Sequence, residues 1–260
     1  ALGAICLAAP AHAQRDLGDD LPSAEDIELA AIDITSGSNV DPWEGFNRRS
    51  FKVYTFLDDY LMVPTARVYR AVTPAKGRKG IRAFIANAQS PVVLINDLLQ
   101  GEFKRAGRTV ARFTINTTIG FVGFADPAGR MGIEAHTEDF GQTLAVWGVP
   151  SGPYLVLPIF GPTTIRDGAG LGIDLPLDPL FHIDQKWARQ MRYSRFAGTA
   201  VARREPLIEP LADIEAKSLD YYASLRSFYL QARKREILNG RSDFSDLIDI
   251  DADGDFDEID

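Results

Sequence analysis

The chain has 260 residues, with 28 Lys and Arg against 36 Asp and Glu for a net charge of −8, and it is 45% hydrophobic and 10% aromatic. This composition excludes a disordered chain and is sufficient for a packed core. A single cysteine excludes a disulfide scaffold and a cysteine-based zinc centre, and three histidines leave little room for histidine-rich chemistry.

The charge is distributed unevenly along the chain. Residues 1–40 carry one basic and seven acidic side chains, and residues 241–260 carry one basic and nine acidic side chains. The middle, residues 41–240, therefore holds 26 basic and 20 acidic side chains, a balance of +6. A basic body between two acidic segments is suited to an anionic surface, either phospholipid or nucleic acid.

The N-terminal segment indicates export. Residues 1–13 are small and apolar, end in Ala-His-Ala, and are followed at once by polar residues, which is typical of the back half of a secretory signal peptide cleaved after Ala13. The run is shorter than the roughly 20 residues that span a bilayer. Ile5 stands where a small residue would precede a lipidated cysteine, so ordinary cleavage is favoured over lipid attachment at Cys6. We interpret residues 14–40 as an acidic flexible leader.

Proline and polar residues predict the first helices. Asp41 followed by Pro42 predicts a helix N-terminus, and apolar residues at helical spacing continue to Pro64. Ser90 followed by Pro91 predicts another helix start, and Gly101 predicts the end of that helix.

A basic amphipathic helix is predicted over residues 74–88, opened by Thr73-Pro74. Its basic side chains oppose an apolar face formed by Ile81, Phe84 and Ile85. A helix of this kind lies in a lipid interface, although the solvated face of a soluble protein is a valid alternative. The predicted membrane-surface residues are Lys76, Arg78, Lys79 and Arg82.

The middle of the chain is poor in charge. Residues 140–165 contain no charged side chain but four glycines and four prolines, which cannot sit together in one continuous helix. Irregular backbone at membrane depth is tolerated where protein buries it or where it lines a cavity. The packed interior of a soluble domain remains the alternative.

The remaining elements are predicted to be helical. Helical periodicity covers residues 102–120, 183–204 and 207–239, and no repeat or hairpin series is evident. The sequence therefore predicts a mainly α single domain over residues 41–240, followed by an acidic disordered tail over 241–260.

Motifs for catalysis are scarce. The sequence has no G-x-S-x-G elbow, no phosphate-binding glycine loop and no nucleic-acid-binding module. His136, with Glu138 or Asp139, offers the candidate acid/base groups for a peripheral enzyme that acts on phospholipid.

The tail resembles a calcium-binding loop. Asp249, Asp251, Asp253, Gly254 and Asp257 match the EF-hand pattern, and Asp260 stands where a bidentate glutamate is usual. A periplasmic scaffold with a weak calcium site is therefore a further alternative, and a disordered acidic tail is the simpler one.

Five segments in order resemble the MlaA/VacJ family of outer-membrane phospholipid-transport proteins, and the resemblance extends over residues 41–240. The segments are DPWEGFNR (41–48), SPVVLINDLLQG (90–101), RFTINTTIGFVGFADPAG (112–129), DFGQTLAVWGVPSGPYLVLPIFGPTTIRDG (139–168) and DLPLDPL (174–180).

The resemblance implies a single helical, ring-shaped, monotopic membrane domain with a central amphipathic channel. It implies a non-enzymatic protein without cofactors, located in the periplasmic leaflet of the outer membrane. Such a protein removes mislocalised phospholipids from the outer leaflet, associates with a porin trimer and passes lipid to a soluble periplasmic carrier. No nucleic acid is involved.

The resemblance also implies site residues. The pore-lining residues would be Ile119, Gly120, Phe121, Val122, Gly123, Phe124 and Asp126. The channel-adjacent N-terminal helix would carry Gly45, Phe46 and Asn47. Family members are commonly lipoproteins, whereas this sequence lacks a good lipidation motif, so attachment would rest on an apolar belt and on the porin.

Overall fold

A computed structural model of the chain describes residues 41–238. The predicted signal segment, Cys6, the acidic leader and the candidate calcium loop at Asp249–Asp260 lie outside the described residues. The statements below concern residues 41–238.

The described chain is mainly α-helical, as predicted. The first helices are α1 (Glu44–Leu57), α2 (Val63–Val72), α3 (Ala75–Leu99), α4 (Phe103–Thr118) and the short α5 (Pro127–Arg130). They are followed by α6 (Phe140–Val146), α7 (Ile165–Leu177), α8 (Lys186–Arg204), α9 (Ile208–Lys217) and α10 (Tyr221–Ile237). A π-helical turn, Asp58–Met62, joins α1 to α2, and 3₁₀ turns at Pro179–His182 and Glu205–Leu207 flank α8.

The start of α1 differs from the prediction. The helix begins at Glu44, with Trp43 at the capping position and no side chain capping it. Asp41 is not the cap, because its carboxylate accepts hydrogen bonds from the side chains of Asn47, Arg226 and Tyr222 instead. Pro64 does not end the helical path either. It is the second residue of α2, which directly follows the π-helical turn, so the helical path continues through it.

The predicted helix start at Ser90-Pro91 is also wrong. Helix α3 runs without interruption from Ala75 to Leu99 and contains Pro91, so the predicted basic helix and its successor are one element. Buried residues before and after the proline hold α3 in place and offset the hydrogen bond that Pro91 removes. Gly101, with φ +74°, ends the helix as predicted.

The charge-poor segment contains a hairpin that the sequence did not predict. Strand β1 (Tyr154–Leu157) pairs antiparallel with β2 (Gly161–Thr164), and Tyr154 faces Thr164 in this register.

The predicted helix over 207–239 is divided at Ser218, so that α9 and α10 are separate helices. Asp220 caps α10, because its carboxylate accepts a hydrogen bond from the Ala223 N–H at 3.3 Å.

The hydrophobic core lies between α1, the hairpin, α9 and α10. It consists of Phe51, Tyr54, Tyr154, Val156, Leu207, Leu211, Ile214, Tyr222, Leu225, Phe228 and Tyr229. No helix in the described part of the chain combines the length and apolar character that crossing a membrane requires.

Candidate lipid-contacting site

The distribution of polar and apolar side chains is unusual. Over residues 41–238, 21 polar or charged residues are buried, as against 20 hydrophobic ones, while 29 large hydrophobic side chains are exposed. Isolated exposed hydrophobic residues are normal in a soluble protein, whereas many buried charges and a large apolar exterior together are not. The arrangement indicates that part of the exterior contacts something other than water.

Helix α4 shows most clearly this inverted arrangement, in which polar side chains are buried and large apolar side chains are exposed. Its inward side is a polar stripe at helical spacing, formed by Arg105, Thr109, Arg112 and Asn116. Its outward side carries the large apolar side chains Phe103, Val110 and Phe113 together with the cations Lys104 and Arg108. Phe103 is 74% exposed, whereas Thr109 is only 5% exposed. The helix therefore packs a polar stripe against the protein and exposes its large apolar side chains.

Asp126 binds the two residues at the C-terminal end of this polar stripe. Its carboxylate accepts two hydrogen bonds of 2.9 Å from Arg112, one from Asn116 and one from the Gly129 N–H. Burial alone would raise the pKa of Asp126, but these hydrogen bonds hold that pKa below its ordinary value. In the structure this predicted pore residue therefore fixes the C-terminal end of the segment 119–126 to α4.

That segment, residues 119–126, is here called the ridge. Phe121 is 82% exposed, and Ile119, Val122 and Phe124 are at least half exposed. Gly120 and Gly123, in contrast, are buried. A Cβ atom on Gly123 would lie 2.5 Å from the Asn87 Cβ, and its φ of +95° favours glycine.

The ridge has an ordered backbone despite its exposure. Phe121 and Val122 have φ of 53° and 58°, a left-handed conformation that is rare for a β-branched residue. Hydrogen bonds back to α4 hold it, from Val122 N to Thr117 O at 3.1 Å and from Gly123 N to Asn116 O at 2.8 Å. The ridge therefore presents its apolar side chains outward from a fixed backbone.

An aromatic contact joins the ridge to α3. The ring of Phe124 stacks on that of Phe84, with centroids 4.7 Å apart and planes at 18°. Asn87 also donates to the Thr117 hydroxyl at 2.9 Å. Helix α3, α4 and the ridge thus form one unit with polar contacts inside and apolar groups outside.

The predicted N-terminal residues have different environments. Gly45 and Phe46 are exposed, whereas Asn47 is fully buried. The Asn47 amide donates to Tyr154 O and accepts from Val156 N, both at 3.0 Å, in the way that a neighbouring strand would pair with β1. Asn47 therefore closes the free edge of the hairpin.

The predicted basic residues separate into two groups. Arg78 and Arg82 each lie 3.3 Å from the buried carboxylate of Glu205, which also pairs with Arg70 at 2.8 Å. Lys76 and Lys79 are exposed. The sequence could not show that two of the four cations also fix α3 to the start of the Glu205–Leu207 turn.

The structure brings two of the three candidate acid/base groups, His136 and Glu138, close together beside Asp97 and places Asp139 with other partners. His136 contacts the buried Asp97 of α3, with its Nε2 atom 2.9 Å from Asp97 Oδ1. Glu138 pairs with Arg105, and burial raises its pKa to about 7. Asp139 pairs instead with Arg233 of α10 at 2.6 Å.

The partners in these pairs were missed from sequence. Arg105 and Arg233 belong to helices of ordinary composition, and Asp97 lies within an apolar stretch. Burial alone would raise the pKa of Asp139 and of Asp167, but Arg233, which contacts both carboxylates, lowers each pKa. The polar residues at helical spacing along α4 could have indicated that Arg105 faces the protein interior, but the prediction did not use them.

Buried polar contacts combined with an exposed apolar ridge, in a mainly helical domain, define the class of protein that associates with a membrane. The sequence profile of one family, described as MlaA lipoprotein, matches residues 39–236. The chain belongs to this family.

Relatives and a solved structure agree with this assignment. An uncharacterized protein of Rickettsia bellii is 34% identical over 198 residues, covering 76% of each chain. The intermembrane phospholipid transport system lipoprotein MlaA of Shigella flexneri is 32% identical over 204 residues, covering 77% of this chain and 79% of its own. A solved structure reported as the structural basis for maintenance of bacterial outer membrane lipid asymmetry superposes with a TM-score of 0.67 at 31% identity, covering 76% of this chain and 98% of that one.

Proposed function

We propose that this protein transports phospholipid at the bacterial outer membrane and thereby maintains the lipid asymmetry of that membrane. It acts as a channel that removes mislocalised phospholipids from the outer leaflet. The observation that carries the proposal is the inverted α4 and ridge, which place apolar side chains outside and polar contacts inside. Membership of the MlaA family supports the same conclusion.

The inverted region is suited to one leaflet of a bilayer. Removing a Phe or Val side chain from water stabilises the protein by about 1.5–3 kcal/mol, so the exposed ridge and α4 face would favour acyl chains over water. Every backbone group of the ridge that faces lipid needs a partner within the protein. The hydrogen bonds from Val122, Gly123 and Ala125 back to residues 116–120 provide such partners.

The ridge forms a wall of the proposed channel. Phe121, Val122 and their neighbours would contact acyl chains, and Gly120 and Gly123 would allow the backbone to approach Asn87 and Asn116 closely. The exposed Lys76 and Lys79 would contact lipid phosphates at the membrane surface.

The partners and location are part of the proposal. The protein would be exported with a cleaved signal peptide, lie in the periplasmic leaflet of the outer membrane, associate with a porin trimer and deliver lipid to a soluble periplasmic carrier. It needs no cofactor for this role. We propose no catalytic role, because His136 is hydrogen-bonded to Asp97, Glu138 is paired with Arg105, and Asp139 is paired with Arg233. Purified protein incubated with labelled phospholipid vesicles should release neither fatty acid nor headgroup.

The transport proposal is tested by introducing a charge into the ridge. In a bacterium lacking its own copy of the gene, the wild-type chain should lower the amount of outer-leaflet phosphatidylethanolamine that a membrane-impermeant amine reagent labels. Phe121→Glu should remove this effect, because a carboxylate at this position disfavours acyl chains.

The matched control is Leu219→Glu. Leu219 is 97% exposed and belongs to the linker between α9 and α10, not to the ridge. This variant should restore asymmetry as the wild type does. If Phe121→Glu accumulates at the wild-type level and transports as well as Leu219→Glu, the proposed role of the ridge is wrong.

A further inference from the structure

Three metal-binding side chains meet beneath α4, outside the proposed lipid-contacting surface. Asp97 of α3, together with His136 and Glu138 of the segment before α6, places its ligand atoms within 4.8 Å of the others. Asp97 and Glu138 are buried, and the His136 side chain is 14% exposed. We propose that these three residues bind a divalent transition-metal ion, with zinc as the best fit.

The environment of His136 is the first argument. Its Nε2 atom lies 2.9 and 3.0 Å from the two oxygens of Asp97 and 3.3 Å from the Thr109 hydroxyl. One ring nitrogen carries at most one proton, so it cannot donate fully to both Asp97 oxygens. A cation between these atoms would use the nitrogen lone pair and the carboxylate oxygens together.

The charge balance is the second argument. Asp97 and Glu138 are two buried carboxylates, and Arg105 is the arginine that contacts both. Arg105 meets Glu138 directly, but its Nε lies 3.8 Å from Asp97 and has no hydrogen-bond partner among the described residues. Arg105 supplies one positive charge for two buried carboxylates, so a cation between Asp97 and Glu138 would be favoured there.

The donor set selects the kind of metal. Calcium and magnesium prefer oxygen ligands alone, whereas one imidazole nitrogen and two carboxylates suit zinc. The Thr109 hydroxyl, which donates to Asp97 at 2.7 Å, or a water would complete four ligands. Bound metal would tie α3 and α4 to the segment that precedes α6, and this role does not depend on the lipid-transport proposal.

Arg105 would compete with the metal. Its side chain is 17% exposed, so it can turn toward solvent when an ion takes its place between the two carboxylates. This competition distinguishes a metal site from an ion-pair cluster, because removal of Arg105 weakens the cluster but would strengthen metal binding.

The test is calorimetric titration of zinc chloride into the purified full chain in detergent, carrying a purification tag without histidines. The wild type should bind one zinc ion per chain at this site. His136→Ala should weaken binding by about 100-fold, and Arg105→Met should tighten it by about tenfold. The matched control is His182→Ala, which changes an exposed histidine that contacts the Pro176 carbonyl and should leave binding unchanged.

A second measurement covers variants that fold poorly. Zinc should raise the thermal unfolding temperature of the wild type, and a chelator should reverse that rise. If zinc produces no rise, or if the wild type and His136→Gln titrate identically, the three residues are a hydrogen-bonded cluster only and the proposal is wrong. Lipid transport would be unaffected by that result.

Discussion

Two regions of the molecule follow opposite rules of burial. In the first, called here the core side, α1, the hairpin, α9 and α10 enclose aromatic and aliphatic groups such as Tyr154 and Leu225. In the second, called here the ridge side, α3, α4 and residues 119–126 enclose asparagine, threonine and charged groups and expose Phe121 and Phe113. The core side is built as a soluble protein would be, whereas the ridge side is built for an apolar environment.

The comparison shows what holds each region together. The core side gains stability from apolar area removed from water. The ridge side depends more on buried hydrogen bonds and ion pairs, such as those of Asp126 with Arg112, because most large apolar side chains of the ridge are exposed. Loss of a buried apolar side chain should therefore matter most on the core side, and loss of a buried hydrogen bond should matter most on the ridge side.

The largest expected effect is on the core side. Leu225 is 0% exposed, so Leu225→Ala should lower the free energy of unfolding by about 3 kcal/mol through lost burial and a cavity. Leu219→Ala, at a nearly fully exposed position, should change it by less than about 0.5 kcal/mol. Denaturant unfolding in detergent measures both. Equal effects would show that the core is not where the structure places it.

A smaller effect is expected in the ridge. Gly123→Ala adds a Cβ 2.5 Å from Asn87 at a φ of +95°, and should destabilise the protein by about 2 kcal/mol. Gly107→Ala is the matched control, since Gly107 lies on exposed α4 with nothing within 4 Å of an added Cβ, and should stabilise by about 0.5 kcal/mol. Thermal unfolding of the two variants in the same detergent measures both changes in stability. A neutral Gly123→Ala would contradict the fixed ridge backbone.

The smallest effect separates the two faces of α4. Thr109→Val keeps the shape of a buried side chain but removes its hydrogen bond to Asp97, so it should destabilise by about 1 kcal/mol. Val110→Thr, one position along on the exposed face, should leave the unfolding free energy unchanged in detergent. Both are measured with a chelator present, so that bound metal does not contribute. The reverse order of effects would mean that α4 is oriented as in a soluble protein.

Local sequence signals predicted much of the fold. The end of α3 at Gly101 and the extent of α4 followed from glycine and from apolar spacing, since both depend on the nearby chain. Pro91 was misleading, because the packing of residues on both sides of it keeps α3 continuous. The hairpin was missed because its free edge is closed by Asn47, 107 residues away from Tyr154.

The candidate site was predictable in part. The ridge residues were chosen by resemblance, and the polar spacing on α4, which the prediction did not use, does not show which face lies inside. Periodicity gives the same pattern for a helix in water and for one in lipid, since only the surrounding solvent differs. Pairs such as Asp139 with Arg233, 94 residues apart, carry no local signal at all.

The most direct test of the inverted ridge side is spin-label accessibility in bilayers. The one cysteine, Cys6, lies in the predicted signal segment, so a chain that begins after Ala13 gives a cysteine-free background for single labels at Phe113, Phe121 and Leu219. In reconstituted liposomes, labels at Phe113 and Phe121 should collide more with oxygen than with a water-soluble nickel complex, and the label at Leu219 should show the opposite. If the labels at Phe113 and Phe121 favour the nickel complex as strongly as that at Leu219, the ridge side faces water and the account is contradicted.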